Sequence, residues 1–369
     1  MTKNKSIRKL WYLLSLSLFF VESSPGQNCF EAKTDSLILS GIELSIQHDY
    51  SKAESIFLRL IKDYPDHPIG YFFMAATIQS KMIDYESDQW SQDFYQYIRL
   101  AIHCAEKNKF MKQEHDFWSM FYHGSALCYL AFYEGRNGDY LSAIRLGLSG
   151  ISILKEIIKR NPGFYDGYFG IGSYKYWRSQ KTKYLNWLPF ISDDREEGID
   201  MVRQTIEKGK YTQHAAMNEL IWILLDSGKA DEAYSWALRG LKEFPQSRFF
   251  LWGAAKSSLT LENYSVAVIY FQQLLDSIIK AQFDNYYNEY ICRIKLAQCF
   301  TNLRRFPDAI SQIVILESLP LSAEIEHKLK NQRKELSQLK KKLSFFANNQ
   351  YPADSLVSKY DFADKQRSQ

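Results

Sequence analysis

The strongest constraint in this sequence is that it repeats itself. Between residues 37 and 65, Leu37, Gly41, Leu44, Ala53, Phe57, Leu60 and Pro65 set small and large apolar positions at fixed intervals. The frame returns with Met217, Leu224, Ala233, Ala237 and Pro245, and again with Leu251, Ala255, Ala267, Phe271 and Leu274, so that Ala233 and Ala267 stand 34 residues apart. A further unit carries Ala297 and Ala309 as its small residues and is reached through an insertion of eight residues. A unit of this length holds two helices, each apolar mainly on one side, and such a unit buries its apolar surface only by stacking on its neighbours. Gly41 and Ala53 are small enough for the two helices to approach, Leu37, Leu44, Phe57 and Leu60 fill the space between them, and Pro65 stops the second helix.

The spacing of these positions resembles the tetratricopeptide repeat, and the resemblance covers most of residues 34–319. It implies an all-α fold, a right-handed superhelical solenoid of antiparallel helix pairs whose first helices line a concave surface. That scaffold is shared by proteins with unrelated partners. The period is regular only in part, because Ala53, Ala143 and Ala233 are separated by 90 and 90 residues, two repeats plus extra chain each time. The extra residues are placed near 84–110 and 179–193, which gives about seven units over 34–319. No alternating apolar run bounded by hairpin turns suggests strands. After Pro320, Ile325, Leu329, Leu336, Leu339 and Leu343 form one stripe on a predicted helix over 320–346, placed to cap the last repeat. Residues 347–369 lose the period and read as a flexible polar tail.

The first 26 residues carry Lys3, Lys5, Arg8 and Lys9 ahead of an apolar stretch from Leu10 to Val21 and then small residues, the order of a secretory signal peptide. Cleavage after Gly26 is expected, and with it an exported, periplasmic or secreted protein. Without that segment the chain holds 42 basic and 41 acidic side chains, so its charge gives no support to nucleic-acid binding. Five cysteines form no CxxC pair. Cys292 and Cys299, seven apart on one predicted helix, lie about 10 Å apart along its axis, too far to bridge. Cys104 and Cys128 fall on neighbouring helices, where buried free thiols are the preferred reading and a disulfide the open alternative.

Three kinds of function are compatible with this pattern. The first is a non-enzymatic interaction scaffold that holds a peptide or protein in the concave groove. There the first helices would present Asn218, Trp222, Phe249, Trp252, Lys256, Ile294 and Gln298, apolar anchors mixed with amides and one charge. These residues do not reproduce the Lys/Asn clamp by which some tetratricopeptide proteins grip a C-terminal carboxylate. The second is an envelope-assembly or membrane-surface factor. It would use the apolar insert with Tyr184, Trp187 and Phe190, together with the basic run Lys340, Lys341 and Lys342, although folding back is the preferred reading of the insert and Glu324, Glu326 and Glu335 interrupt the basic face. The third is a helical-hairpin hydrolase built on Asp193, Asp194, Glu196 and Glu197. Acidic residues in that order equally suit the start of a helix, with Asp193 or Asp194 as its N-cap. The run containing Gly163, Gly167, Gly170 and Gly172 follows Asn161 and Pro162, not a strand, so it reads as close helix packing and not as a nucleotide loop. Histidine spacing suggests no metal site, and no cofactor or nucleic-acid partner is expected.

Overall fold

The computed structural model describes residues 25–110, 117–182, 192–281 and 283–350. All regular structure among them is helical, and the helices follow one another as antiparallel pairs. The pairs are α1 (Pro25–Ile46) with α2 (Tyr50–Asp63), α3 (Pro68–Tyr85) with α4 (Ser91–Phe110), and α5 (Phe117–Arg136) with α6 (Tyr140–Arg160). Next come α7 (Asp166–Thr182) with α8 (Arg195–Lys208), and α9 (Gln213–Asp226) with α10 (Ala230–Glu243). The last are α11 (Arg248–Thr260) with α12 (Tyr264–Lys280), and α13 (Tyr287–Asn302) with α14 (Phe306–Glu317). This is an all-α solenoid of the tetratricopeptide type.

The helices sort into two layers by the distribution of their apolar residues. The first helices touch in series, α1 to α3 to α5 to α7 to α9 to α11, and form the inner layer. Helix α3 shows why: Ile69, Phe72, Phe73, Met74, Ala75, Ile78 and Met82 spread apolar residues around it, so most of its surface is buried. The second helices, such as α2 and α10, bury one stripe and turn their charged side outward; in α2 the stripe is Tyr50, Ala53, Phe57 and Leu60.

Within a pair the connecting turn repeats a single conformation. A residue with positive φ precedes the start of the second helix: Gly138 (φ 89) and Gly228 (φ 78) in two pairs, but His48 (φ 65), Glu262 (φ 58) and Arg304 (φ 58) in three others. Asp49, Asp139 and Asn263 follow three of these residues and cap the second helix by accepting from the N–H of Lys52, Ser142 and Val266. A left-handed histidine costs about 1 kcal/mol relative to glycine, and the use made of the His48 ring offsets that cost.

The middle pairs approach more closely than the rest. A Cβ on Gly150 would lie 2.5 Å from the Gly124 carbonyl oxygen, and one on Gly172 would lie 2.7 Å from that of Gly198. Backbone therefore rests on backbone in α5–α6 and in α7–α8. Gly172, from the run after Asn161–Pro162, serves this packing, and Gly170 of the same run makes room for the Leu154 side chain of α6.

At the C-terminal end the structure corrects the expected single capping helix over 320–346. The stripe is broken at Leu329 into α15 (Ala323–Lys328) and α16 (Lys330–Gln350), with Ser322 capping the first by accepting from the N–H of Ile325. Across the break, Ile325, Leu329, Leu336, Leu339 and Leu343 are all buried in one cluster with residues of α13 and α14. Helix α16 also runs past residue 346, into the segment expected to be tail. The leader over 1–24 and the residues 351–369 lie outside the described residues. Among the described residues no helix is long and apolar enough to cross a membrane.

Gly150→Val is expected to lose about 2–3 kcal/mol, because backbone cannot move aside for the new side chain. Gly147→Ala on the same helix should instead gain about 0.5–1 kcal/mol, since its Cβ meets only Ala131 at 3.6 Å and the substitution favours helix. Urea denaturation of the two variants checks both signs.

Candidate functional site

The solenoid curls until its first two pairs rest against its fourth to seventh. The contact is centred on Asp84, near the C-terminal end of α3, and Arg248, the first residue of α11. Each charge sits at the helix end its sign disfavours, and pairing relieves both. Arg248 donates to Asp84 Oδ1 through Nε at 2.8 Å and to Oδ2 through Nη2, and the side chains are only 7% and 3% exposed. The Tyr50 hydroxyl donates to the same Oδ2 at 2.9 Å. His48 lies between them: Asp84 Oδ2 is 3.0 Å from its Nδ1, and the backbone N–H of Arg248 donates to its Nε2 at 2.7 Å.

That last bond fixes the state of the ring. A nitrogen that accepts carries no proton, so His48 is neutral, with its proton on Nδ1 facing Asp84. Burial lowers its pKa, and the nearby Arg248 charge adds to this, against the opposing pull of the Asp84 hydrogen bond and charge. Burial pushes Asp84 upward, but hydrogen bonds from Arg248 and His48 outweigh it and hold the carboxyl well below the usual carboxylate range. Asp49, next to His48, is engaged by Lys52 on the exposed side.

The eight-residue insertion between the sixth and seventh units completes the closure. Helix α3 ends with carbonyls that no helical N–H satisfies. The Asn285 amide donates to the carbonyls of Tyr85 at 2.6 Å and Glu86 at 3.1 Å, and the Asn288 amide to that of Asp84 at 2.7 Å. Phe283 stacks on Tyr85 with ring centroids 4.6 Å apart. Further round, Asp35 of α1 pairs with Lys210 at 2.5 Å and accepts from the Tyr211 hydroxyl, while Lys328 lies 3.6 Å from Asp88. A cavity of about 520 Å³ opens beside the closure, lined by Asp84, Tyr85, Arg248, Phe283, Asn285 and Glu289 among others. Its buried charges are already matched, Arg248 by Asp84 and Glu289 by Arg293 at 2.7 Å.

Closure redistributes the residues expected in the groove. Ile294 is fully buried in the packing around α13, so it is a core residue and offers no contact to a partner. Phe249 is half-buried, its ring 4.9 Å from that of His48. Asn218, Trp222, Trp252, Lys256 and Gln298 stay half-buried on α9, α11 and α13. Burial, with Lys295 nearby, lowers the Lys256 pKa. Asn218 Oδ1 and Gln298 Oε1 are buried and find no donor among the described residues. Glu219, beside Asn218, is raised by burial and accepts from the indole N–H of Trp177 at 2.6 Å. Tyr184, Trp187 and Phe190 lie outside the described residues.

The remaining clusters are structural. Asp193 pairs with Arg195, Asp194 with Arg178, Glu196 with Lys229 and Glu197 with Lys175, four separate ion pairs instead of one acid site. The cap on α8 comes from Asp193, which accepts from the N–H of Arg195 at 3.2 Å, whereas Asp194 makes no cap bond. On α16, Lys340 pairs with Glu317 and Lys342 donates to Asn302 Oδ1 at 3.0 Å. The described cysteines, Cys104, Cys128, Cys292 and Cys299, are free thiols, and burial pushes those of Cys128 and Cys299 up to about 12. No group of three or more potential metal ligands occurs among the described residues.

No family model matches the chain, and no curated protein matches it. Among solved structures, the C-terminal part of a tetratricopeptide repeat-containing protein from Cytophaga hutchinsonii is similar at 17% identity with a TM-score of 0.41, covering 79% of this chain and 99% of that one. The fold is that of a helical-repeat protein.

Arg248→Met strands a buried Asp84 and should cost about 3–5 kcal/mol. Asp84→Leu combined with Arg248→Met should recover most of the loss. Thermal melts of the single and double variants check it, and equal losses in both would contradict the pairing argument.

Proposed function

We propose that this chain is a non-enzymatic scaffold that binds an extended peptide segment of a protein partner along the inner face of α9, α11 and α13. The observation that supports this most directly is the pair of buried amide oxygens, Asn218 Oδ1 and Gln298 Oε1, without donors among the described residues. Buried acceptors are nearly always satisfied, and an extended peptide brings regularly spaced N–H donors. Trp222 and Trp252 offer apolar anchors between them. Lys256, which forms no ion pair among the described residues, would regain its favoured charge beside a ligand carboxylate, so an acidic segment is the preferred occupant. The N-terminal leader pattern supports an exported, periplasmic or secreted setting. The pairing of Asp193, Asp194, Glu196 and Glu197 with separate cations removes the motive for a hydrolase reading.

A second contact is favoured by one observation. On α6, Tyr140, Leu141, Ile144 and Leu148 form an exposed apolar strip, with Leu141 83% exposed, and Phe132 of α5 is exposed as well. A strip of this kind suits a protein interface. It fits the scaffold reading better than the membrane-surface alternative, whose basic C-terminal residues Lys340 and Lys342 are occupied within the molecule.

Selection of peptides from a random displayed library on the folded chain tests the inner-face reading. Enriched acidic peptides should lose at least about tenfold in affinity on Asn218→Leu with Gln298→Leu, roughly the 1.4 kcal/mol of one good hydrogen bond. Helicity should be unchanged. Peptides that bind the double variant equally well, or no enrichment at all, would sink the reading. Leu141→Glu with Ile144→Glu should leave those peptides bound.

A further inference from the structure

We propose that the contact of His48 with Asp84 and Arg248 is an acid-sensitive latch, in which protonation of His48 releases the first two helix pairs from α11 and from the 283–288 insertion. The geometry carries the argument. His48 Nε2 accepts the Arg248 N–H at 2.7 Å, so a second ring proton would point a donor at a donor. Every group facing the ring is accounted for. Asp84 of α3 favours the imidazolium, but its carboxylate already takes Arg248 through two nitrogens and the Tyr50 hydroxyl. Arg248 of α11 adds a positive charge, the neutral Tyr50 hydroxyl of α2 lies 3.0 Å from Nδ1, and the rings of Tyr50 and Phe249 of α11 add edges and faces without charge. Tyr85, behind Tyr50 at 5.9 Å, is likewise neutral. The ring is buried too deeply for water to take over the lost bond.

The choice of residue supports a dedicated role. At the equivalent turn position two other pairs use glycine, Gly138 and Gly228, and two use Glu262 and Arg304, so the left-handed turn does not itself call for a histidine. Capping of α2 is already supplied by Asp49, so the turn does not need the imidazole. The ring joins chain segments 200 residues apart.

The direction with pH follows from linkage. The closed form depresses the His48 pKa below the ordinary value near 6.5 that the ring regains when exposed. The open form therefore binds more protons as pH falls. Closure is complete above about pH 6.5 and weakens below it, by at most about tenfold in equilibrium constant per pH unit for one proton. Against the upward push of burial, hydrogen bonds from Arg248 and His48 keep Asp84 ionised well below this window. Opening would uncover Phe249 and Tyr85, and the latch stands whether or not the inner face binds peptide.

The test is a distance measurement by pulsed electron resonance, with spin labels on cysteines introduced at the exposed positions Ser55 of α2 and Gln273 of α12, in a Cys29→Ser background. A single short distance is expected at pH 7.5 and a growing longer component at pH 5.0, reversed on return. His48→Gln supplies an amide that accepts from Arg248 and donates to Asp84 without titrating. It should hold the short distance at both values. An unchanged wild-type distance, or opening in His48→Gln that matches the wild type, overturns the latch. Should His48→Gln be open already at pH 7.5, the wild-type midpoint decides: opening that tracks the His48 imidazole titration by NMR supports the latch, and opening a unit or more away overturns it.

Discussion

The shape of this molecule depends on a buried charge pair between Asp84 and Arg248. A helical-repeat chain makes contacts mainly between neighbours, and nothing in that local scheme obliges its ends to meet. Here a carboxylate at the end of α3 and a guanidinium at the start of α11 are both withdrawn from water, an arrangement tolerable only while they face each other. Tyr50 and His48 use the remaining hydrogen-bonding capacity of the carboxylate, and His48 also takes the N–H of Arg248. The closure is thus specific more than it is strong: two apolar residues of similar volume would hold the same halves together, but would not fix which residues must meet.

Closure changes what the inner surface can do. In an open solenoid the first helices present a continuous concave face. In this chain α3 fills part of the interior, His48 lies on Phe249, and Asp35 reaches Lys210 and Tyr211. What remains is a shorter, half-buried strip on α9, α11 and α13, with Lys256 and two buried amide oxygens that find no donor among the described residues. The outer strip on α6 is a separate feature, apolar where the neighbouring charged faces of second helices are not.

Departures from the repeat coincide with the long-range contacts. The segment between the sixth and seventh units supplies Asn285 and the first turn of α13 supplies Asn288, and their amides satisfy the carbonyl end of α3. The one histidine in a left-handed turn is the one that reaches across the molecule. Irregularity in a repeat protein is a natural place for such functions, because regular positions are already committed to neighbour packing.

The sequence by itself determined the helix pairs and their stacking. Positions such as Ala53, Phe57, Ala233 and Ala267 act over one turn or one neighbour, and such short-range demands leave a periodic mark in the chain. The terminal stripe from Ile325 to Leu343 was legible for the same reason, although its break at Leu329 was not, since the bend answers to the surface it covers. Asn218, Trp222, Trp252, Lys256 and Gln298 were placed on the inner side by their register alone. Ile294, in the same register, is core, and Phe249, half-buried, lies against the His48 ring. Only the tertiary structure decided these, and only it joined His48, Asp84 and Arg248, because a contact between residues 164 and 200 positions apart has no period and leaves no pattern in the order of the residues.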